Sequence, residues 1–263
     1  MNAYLNDTKE WLIDFSGIIT FFVLWELLPR IGVIDAQFIP PLSVVIGALW
    51  TLATVGGGLF IHVAASLQRI FIGLGMAIGI GIPLGFLLGG VFPALSRQLR
   101  PLLRILGQIN GFSLFPIFIL FFGIGEGAKV SIIFWSSIWP LLFTTIAGIK
   151  QLDPLYVKSA RSMGASRFTI FTEVILPGAA PVIFTGIRTG ATHAFLMLMA
   201  AEVIGASAGL GWLIHNSAVN NIIPRLFAGV ISIAVLGALL TYAIDFLEEN
   251  LLEWKPTANK KNS

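Results

Sequence analysis

The sequence predicts an all-α protein that crosses a membrane about six times. Of its 263 residues, 56% are hydrophobic and only 11% are charged, whereas about 25% of the residues in a soluble domain are charged. Too few polar side chains remain to cover a water-facing surface, so the bilayer is the expected solvent. Apolar runs also recur at a length of about 20 residues, which a helix needs to cross a ~30 Å hydrocarbon core. The pattern predicts one transmembrane domain over residues 1–263.

Six apolar segments are long enough to be membrane spans. They are Trp11–Leu28, Ile70–Phe92, Ile105–Phe122, Val130–Ile149, Ile183–Ala206 and Phe227–Leu247. Between the first two lies Pro40–Ile61, which begins with proline and mixes polar with apolar residues. We interpret this segment as interfacial rather than as a further span.

The second span is rich in glycine at four-residue spacing. The pairs are Gly75 with Gly79, Gly81 with Gly85, and Gly85 with Gly89. A helix face without side chains lets a neighbouring backbone approach closely, so the spacing predicts tight helix packing. A hinge around Pro83 is the alternative interpretation.

The distribution of Lys and Arg predicts that both termini are cytoplasmic. Cations concentrate in the cytoplasmic loops of membrane proteins, and a cytoplasmic N-terminus places eleven of them inside and three outside. The eleven are Lys9, Arg97, Arg100, Arg104, Lys150, Lys158, Arg161, Arg167, Lys255, Lys260 and Lys261, and the three are Arg30, Lys129 and Arg225.

A polar segment interrupts the apolar chain at about residues 153–181, on the predicted cytoplasmic side. Asp153 and Pro154 are typical of the first turn of a helix, and Gly164 is typical of a helix end. Ser166 suits the start of a second helix, which we expect to run to Leu176 before Pro177. The segment therefore predicts a short helix, a glycine turn and a helix that re-enters the membrane. An ordinary basic loop between two spans is the alternative.

The same segment resembles the coupling loop of ATP-binding-cassette (ABC) importer permeases. The resemblance is carried by Ala160, Gly164, Ala165, Ile175, Leu176, Pro177 and Pro181, in the pattern A-x-x-x-G-A followed by I-L-P-x-x-x-P. The motif of that family usually begins Glu-Ala-Ala, where this chain has Lys158, Ser159 and Ala160. A cation thus replaces the glutamate. The resemblance implies that the loop contacts an ATPase subunit through Lys158, Ala160, Arg161, Gly164, Ala165 and Pro177.

Three further stretches are similar to the nitrate, sulfonate and bicarbonate branch of these permeases. They are SLQRIFIGLGMAIGIGIPLG from Ser66, FPIFILFFGIGEGAK from Phe115 and AEVIGASAGLGWLI from Ala201. The resemblance implies a type I importer fold and a homodimeric pore in the bacterial inner membrane. It also implies two cytoplasmic ATPase subunits, a periplasmic or lipid-anchored solute-binding protein, and a small anion as substrate.

Several functions are disfavoured by what the sequence lacks. It contains no G-x-x-x-x-G-K-[ST] motif, so ATP and Mg²⁺ are expected on the partner ATPase and no cofactor on this chain. The histidines have no metal-ligand spacing, there is no cysteine, and no catalytic set is recognisable. We therefore expect neither a metal site nor an enzyme. The net charge of +3 does not indicate a nucleic-acid partner, and the expected surroundings are membrane lipids.

Polar residues within the spans are candidates for the translocation path or its gate. Intramembrane polar groups usually face protein or a water-filled path. The candidates are Arg69, Gln108, Asn110, Arg188, His193 and Glu202. For Gln108 and Asn110, interhelical bonding and pore lining both remain open. Arg69 and Glu202 both fall near the external face, where they either pair or extend separately to water.

A secondary transporter driven by an ion gradient is the main alternative function. Such carriers often contain two inverted repeats, and no internal repeat is apparent in this sequence. A membrane-embedded enzyme is a more distant alternative. The sequence does not identify the transported solute.

Overall fold

The computed structural model describes residues 2–54 and 58–252, with side chains from Ser16 onward. Every regular element within these residues is helical. The helices are α1 (Asn2–Arg30), α2 (Leu42–Thr54), α3 (Gly58–Phe86), α4 (Pro93–Gln108), α5 (Gly111–Phe122), α6 (Glu126–Gln151), α7 (Pro154–Ser162), α8 (Arg167–Ile170), α9 (Leu176–Val203), α10 (Leu210–Val219) and α11 (Ile223–Leu251). Two π-helical turns, Leu87–Val91 and Phe171–Ile175, follow α3 and α8.

The core forms around α6, which packs against α3 on one side and α9 on the other. Ile132, Ile133 and Leu141 of α6 are completely buried. On α9 the matching positions are small, including Ala191 and Ala194. Small residues let two helix backbones approach closely, which compensates for the weak hydrophobic driving force between helices in lipid.

Glycines of α3 form the other half of this packing. A Cβ on Gly85 would lie 2.5 Å from Thr145 Cβ, and one on Gly81 would lie 3.2 Å from Ile138 Cγ1. Gly89 is similarly close to α6, whereas a Cβ on Gly75 or Gly79 would meet no atom of the described residues within 4 Å. The tight packing predicted for this helix is therefore present at Gly81, Gly85 and Gly89 and absent from the Gly75–Gly79 face.

Four helical segments of the described chain are long and apolar enough to cross a membrane. They are Gly58–Val91, Glu126–Gln151, Arg167–Val203 and Ile223–Leu251, and they contain the second, fourth, fifth and sixth predicted spans, apart from a few terminal residues. The first predicted span falls within α1, and its first residues precede the described side chains. The total of six spans remains a prediction.

The third predicted span, Ile105–Phe122, is wrong as a continuous helix. The chain breaks at Ile109 and Asn110, and α4 and α5 meet at 89°. Both residues have extended backbone angles, and the Asn110 side chain accepts a hydrogen bond from Phe112 N–H as the cap of α5. A hydropathy pattern counts apolar residues and does not register this cap, which is why the break was not predicted.

Three predicted boundaries also change. The segment Pro40–Ile61 contains α2 and, after residues that the structure does not describe, the start of α3. The fifth span ends at Val203 rather than Ala206. The helix after Ser166 does not stop before Pro177 but continues into α9. Lys255, Lys260 and Lys261 of the predicted cytoplasmic tail lie outside the described residues.

Candidate functional site

The segment predicted to contact an ATPase begins with the short helix α7. The Asp153 carboxylate accepts a hydrogen bond from Leu155 N–H at 2.9 Å, and Pro154 occupies the first turn. At the other end Gly164 has φ +79°, a left-handed conformation that glycine adopts without steric cost. Ser166 then accepts a hydrogen bond from Thr169 N–H at 3.1 Å and starts α8. The helix, turn and second helix thus occur at the residues where the sequence predicts them.

The second helix of this segment is longer than predicted. From Arg167 to Val203 the chain is one helical segment of 37 residues, which at 1.5 Å per residue spans about 55 Å. Pro177, which lacks an N–H, is accommodated because a π turn precedes it, with Leu176 N–H donating to Phe171 O. One continuous helical segment therefore connects the polar loop to the opposite end of the protein.

The surface of the polar loop is exposed and partly apolar. None of the residues of α7 is buried, and Met163 beside it is 86% exposed. A groove of about 690 Å³, which we call the loop groove, lies between α7 and the start of α9. Among its lining residues are Tyr156, Ala160, Met163, Glu173 and Pro177.

The other predicted loop residues are not among those that line this groove. Lys158 is exposed, and Gly164 and Ala165 form the turn. Arg161 lines a different cleft together with Arg167. The structure therefore divides the predicted contact residues between two faces of the loop.

At the other end of α9, Arg69 is the centre of an ionic network in which Arg69, Lys129 and Glu202 are buried and Glu126 is exposed. Its Nη1 lies 2.7 Å from Glu202 Oε1. Its Nε and Nη2 lie 2.6 Å and 2.8 Å from the two carboxylate oxygens of Glu126. Lys129 Nζ is 3.0 Å from Glu126 Oε1. Arg69 is 5% exposed and Glu202 0%, so the structure contains the predicted pair in buried form and excludes separate extension to water.

The network also holds the loop between α9 and α10. Glu202 accepts hydrogen bonds from Ser66 Oγ and Gly211 N–H, each at 2.7 Å. Arg69 donates to Ala208 O at 2.7 Å, and Gly209 N–H donates to His62 Nδ1 at 3.1 Å. The bonds to Ala208 and Gly209 join the 204–209 loop to α3, whereas Glu202 joins α9 to α3 and to the first turn of α10. The loop conformation thus depends on the ionic network.

Four members of the network were not predicted, namely His62, Ser66, Glu126 and Lys129. The prediction placed Arg69 at the start of its span, whereas α3 begins at Gly58. Arg69 therefore lies three turns into the helix, where its side chain meets protein instead of water. The i, i+3 spacing of Glu126 and Lys129 is a signal that could have indicated a charged pair.

A second polar site lies about halfway along α6. Gln108, Asn110 and His193 line a cleft of about 460 Å³ together with Ser136 and Trp139, and we call it the central cleft. It opens where α4 and α5 break apart, so the break gives three predicted residues a common site. Amide, hydroxyl and imidazole groups among apolar walls suit a small polar or anionic solute.

Arg188 lies apart from both sites. Its Nη2 is 2.5 Å from Asp245 Oδ1 and 2.8 Å from Glu248 Oε2, so it joins α9 to α11. It is not among the residues that line the central cleft. The six path candidates therefore divide between the ionic network, the central cleft and this interhelical ion pair.

Comparison with known proteins identifies similar transport proteins. Residues 81–253 match the family described as binding-protein-dependent transport system inner membrane component. The taurine transport system permease protein of Escherichia coli is 30% identical over 94% of this chain and 91% of its own length. The bicarbonate transport system permease protein of Synechocystis is 31% identical over 89% of this chain and 86% of its own.

A solved structure shows the same fold. A chain from inward-facing conformations of the MetNI methionine ABC transporter superimposes with a TM-score of 0.53. The match covers 81% of this chain and 96% of that chain at 17% sequence identity. The helical architecture is therefore shared with a type I ABC importer, although the sequences have diverged widely.

Proposed function

Because the chain belongs to the family of inner membrane components of binding-protein-dependent transport systems, we propose that it forms the translocation path of an ATP-driven importer. A separate cytoplasmic subunit binds ATP with Mg²⁺ and hydrolyses it, and this chain is not itself an enzyme. A second copy of the chain completes the pore in the bacterial inner membrane. A periplasmic or lipid-anchored binding protein delivers the solute.

The continuous helix from Arg167 to Val203 is the observation that carries this proposal. Its first residues belong to the exposed polar loop, and its last turn contains Glu202 of the ionic network. Movement of the loop by an ATPase is transmitted along this helix as a rigid-body displacement. At the far end the displacement acts on the 204–209 loop and the first turn of α10, which are bonded to Arg69 and Glu202, respectively.

The loop groove provides the contact surface for the ATPase. An exposed apolar side chain such as Met163 is typical of a surface that a partner covers. Lys158, where the family motif usually has glutamate, is exposed on α7. A groove on the partner that receives this loop therefore presents a carboxylate or a carbonyl oxygen to position 158.

The solute is a small anion of the sulfonate or bicarbonate class. The named relatives transport taurine and bicarbonate, and the central cleft offers matching chemistry. Gln108, Asn110, Ser136 and His193 supply hydrogen-bond donors, and the described lining residues include no Asp or Glu that would repel an anion.

The cytoplasmic position of both termini follows from the distribution of Lys and Arg.

Co-purification and vesicle uptake test the ATP-driven mechanism. The tagged chain, extracted from native membranes in mild detergent, should retain an ATPase subunit. Uptake into vesicles should require ATP on the loop side and the binding protein on the other side. It should persist when ionophores collapse the ion gradients. Uptake that is abolished by ionophores and indifferent to ATP would show a secondary transporter instead.

A matched pair of histidine substitutions tests the central cleft. His193→Ala should lower anion uptake roughly tenfold, in line with losing about 1.5 kcal/mol from a hydrogen bond to a charged group. His215→Ala is the control, because His215 is also exposed and lies on α10 outside the cleft. Equal uptake by the two variants, at equal amounts in the membrane, would remove His193 from the path.

A further inference from the structure

We propose that the cleft behind the polar loop binds the headgroup and one acyl chain of an anionic phospholipid. The cleft, about 870 Å³ in volume, lies between the end of α3 and the start of the long helix. We call it the arginine cleft. It is lined by Ile82, Pro83, Phe86, Leu87, Gly90, Val91, Arg161, Arg167, Ile170, Phe171 and Ile175.

The lining of the arginine cleft combines two cations with an apolar wall. Among the described residues that line it, Arg161 and Arg167 are the only charged ones, and all the others are apolar. Neither arginine has a carboxylate within 4.0 Å among the described side chains, and both are exposed. A guanidinium is well suited to a phosphate group, which it can bind through two parallel hydrogen bonds. The ligand is thus an anion with an apolar tail.

The two π turns give the cleft its shape. Leu87–Val91 and Phe171–Ile175 both contribute to the lining, and the rings of Phe86 and Phe171 meet edge to face at 5.1 Å. π turns occur frequently at functional sites. A Cβ on Gly90 would meet no atom within 4 Å, so space remains open beside the aromatic pair for an acyl chain.

The position of the cleft favours a lipid over a free phosphate. Arg161 belongs to the polar loop, whereas Ile82 and Phe86 belong to the last turns of the membrane-spanning α3. In the proposed topology the arginines therefore lie at the cytoplasmic headgroup level and the apolar wall extends into the hydrocarbon. Basic pockets between helices on this side of a membrane bind anionic headgroups. A free phosphate would leave the apolar wall uncovered.

The occupied cleft would connect the lipid to transport. Arg161 lies on the loop that the ATPase moves in the proposed function, and Phe86 lies on the helix whose glycines pack against α6. A lipid held by both would link the loop to the core of the permease. A phospholipid bound in the arginine cleft is therefore a structural component of the coupling region, in contrast to the bulk lipid that surrounds the protein.

Lipid binding to the purified chain tests the proposal directly, in detergent, where membrane orientation has no influence. Native mass spectrometry with phosphatidylglycerol should show retained lipid, and phosphatidylcholine with the same acyl chains should be retained less. Each cation near a headgroup contributes roughly 5-fold in affinity. Arg161→Gln and Arg167→Gln should each reduce phosphatidylglycerol binding about 5-fold, and the double variant about 30-fold. Arg161→Lys, which keeps the charge but loses the two parallel hydrogen bonds, should bind phosphatidylglycerol with an affinity between those of the unchanged chain and Arg161→Gln.

The control is the double variant Arg97→Gln, Arg100→Gln. Both residues are exposed on α4, which packs beside the Leu87–Val91 turn, and neither lines the cleft. This variant should retain phosphatidylglycerol at the original affinity. The proposal would be overturned if both double variants lost phosphatidylglycerol binding equally. It would also be overturned if the double variant Arg161→Gln, Arg167→Gln lost none.

A label in the cleft distinguishes the lipid from other occupants. The chain has no cysteine, so Val91→Cys can carry a single fluorophore. Brominated phosphatidylglycerol should quench it more strongly than brominated phosphatidylcholine. Disulfide cross-linking of two copies through position 91, or protection of the label by the ATPase subunit without lipid quenching, would assign the cleft to a protein partner and refute the lipid site.

Discussion

The carboxylate of Glu202 shows how one side chain can fix the conformation of a whole loop. Transfer of a charged group from water into a protein costs several kcal/mol unless it is paired and hydrogen-bonded. Glu202 is completely buried, and its oxygens are bonded to Arg69, Ser66 and Gly211. Gly209 makes this arrangement possible, because a Cβ at that position would overlap the carboxylate. The residue types at these positions are therefore interdependent.

The first prediction concerns the coupling between Arg69 and Glu202. Arg69→Ala should lower stability by about 3–5 kcal/mol, because it leaves a buried carboxylate without its cation. Glu202→Ala should cost less, since Arg69 keeps Glu126 and Ala208 O as partners. The loss of stability in the double variant should be smaller than the sum of the losses in the two single variants. Thermal unfolding of the purified chain and uptake assays measure all three.

The exposed pair of Glu26 and Arg30 is the control for this cycle. Their side chains lie 2.6 Å apart and are 27% and 57% exposed, respectively. A solvent-exposed i, i+4 pair contributes about 0.3–0.5 kcal/mol. The Arg69–Glu202 coupling should exceed the coupling of this pair several-fold. Additive effects at both pairs would contradict a role for the buried pair in holding the 204–209 loop and the start of α10.

The second prediction concerns the backbone of Gly164. A side chain there would meet no atom within 4 Å, so the cost of substitution comes from the left-handed conformation alone, about 1–2 kcal/mol. Gly164→Val should reduce uptake and ATPase association while the chain still inserts. Gly164→Asn is the control, because asparagine tolerates this conformation better. ATPase association, measured by pull-down, and solute uptake are each normalised to the amount of the chain in the membrane. Both values for Gly164→Asn should lie between those of the unchanged chain and those of Gly164→Val. Wild-type uptake by Gly164→Val would exclude a coupling role for the turn.

At the scale of the element, the two glycine faces of α3 differ in what they contact. Gly81 and Gly85 of α3 and Gly89 of the following π turn face α6, whereas a Cβ on Gly75 or Gly79 would meet no atom of the described chain within 4 Å. Thr145, opposite Gly85, is itself fixed by a hydrogen bond of 2.7 Å to Leu141 O. The α6 side of the contact therefore cannot move away easily to admit a larger residue.

The third prediction compares these two faces directly. Gly85→Ala should destabilise the chain by about 1–3 kcal/mol, because the added methyl group overlaps Thr145 in a well-packed core. Gly79→Ala should be neutral or slightly stabilising in the isolated chain, since alanine is the better helix former. Thermal unfolding in detergent measures the stability of both variants. If Gly79→Ala lowered the stability of the chain as much as Gly85→Ala, the contact with α6 would not be the cause of the destabilisation.

For the whole molecule, the predicted orientation places the polar loop and the ionic network on opposite sides of the membrane. The loop lies at the start of the Arg167–Val203 helix and the network at its end. A length of about 55 Å exceeds the ~30 Å hydrocarbon core, so the helix projects beyond it. The loop can thus contact a cytoplasmic partner while Glu202 remains near the external face.

The fourth prediction tests this orientation with single cysteines in a chain that has none. Ser166 and Asn220 are both exposed and lie on opposite sides in the predicted topology. In intact cells an impermeant thiol reagent should label Asn220→Cys and should not label Ser166→Cys. Membrane permeabilisation should expose Ser166→Cys and is the control for reactivity. Labelling of Ser166→Cys from outside would reverse the topology. Asn259, a further position for this test, lies outside the described residues.

The sequence by itself determined the class of fold, the polar loop and the family. These features depend on local signals: apolar runs of spanning length, the cap at Asp153, the turn at Gly164 and a motif between Ala160 and Pro181. Each of them is specified by neighbours in the chain, so no knowledge of distant contacts is needed. The buried pair of Arg69 and Glu202 was one of two alternatives that the sequence left open.

Only the tertiary structure decided which polar residues share a site. Glu126 joins Arg69 across 57 residues, and Glu202 joins it across 133, separations over which sequence spacing carries no information. The break at Asn110 places it with His193 in the central cleft, whereas Arg188, five residues before His193, instead pairs with α11. The physical reason is that the cost of burying a charge depends on the partner that packing brings to it, and that partner is set by how α3, α6 and α9 pack together.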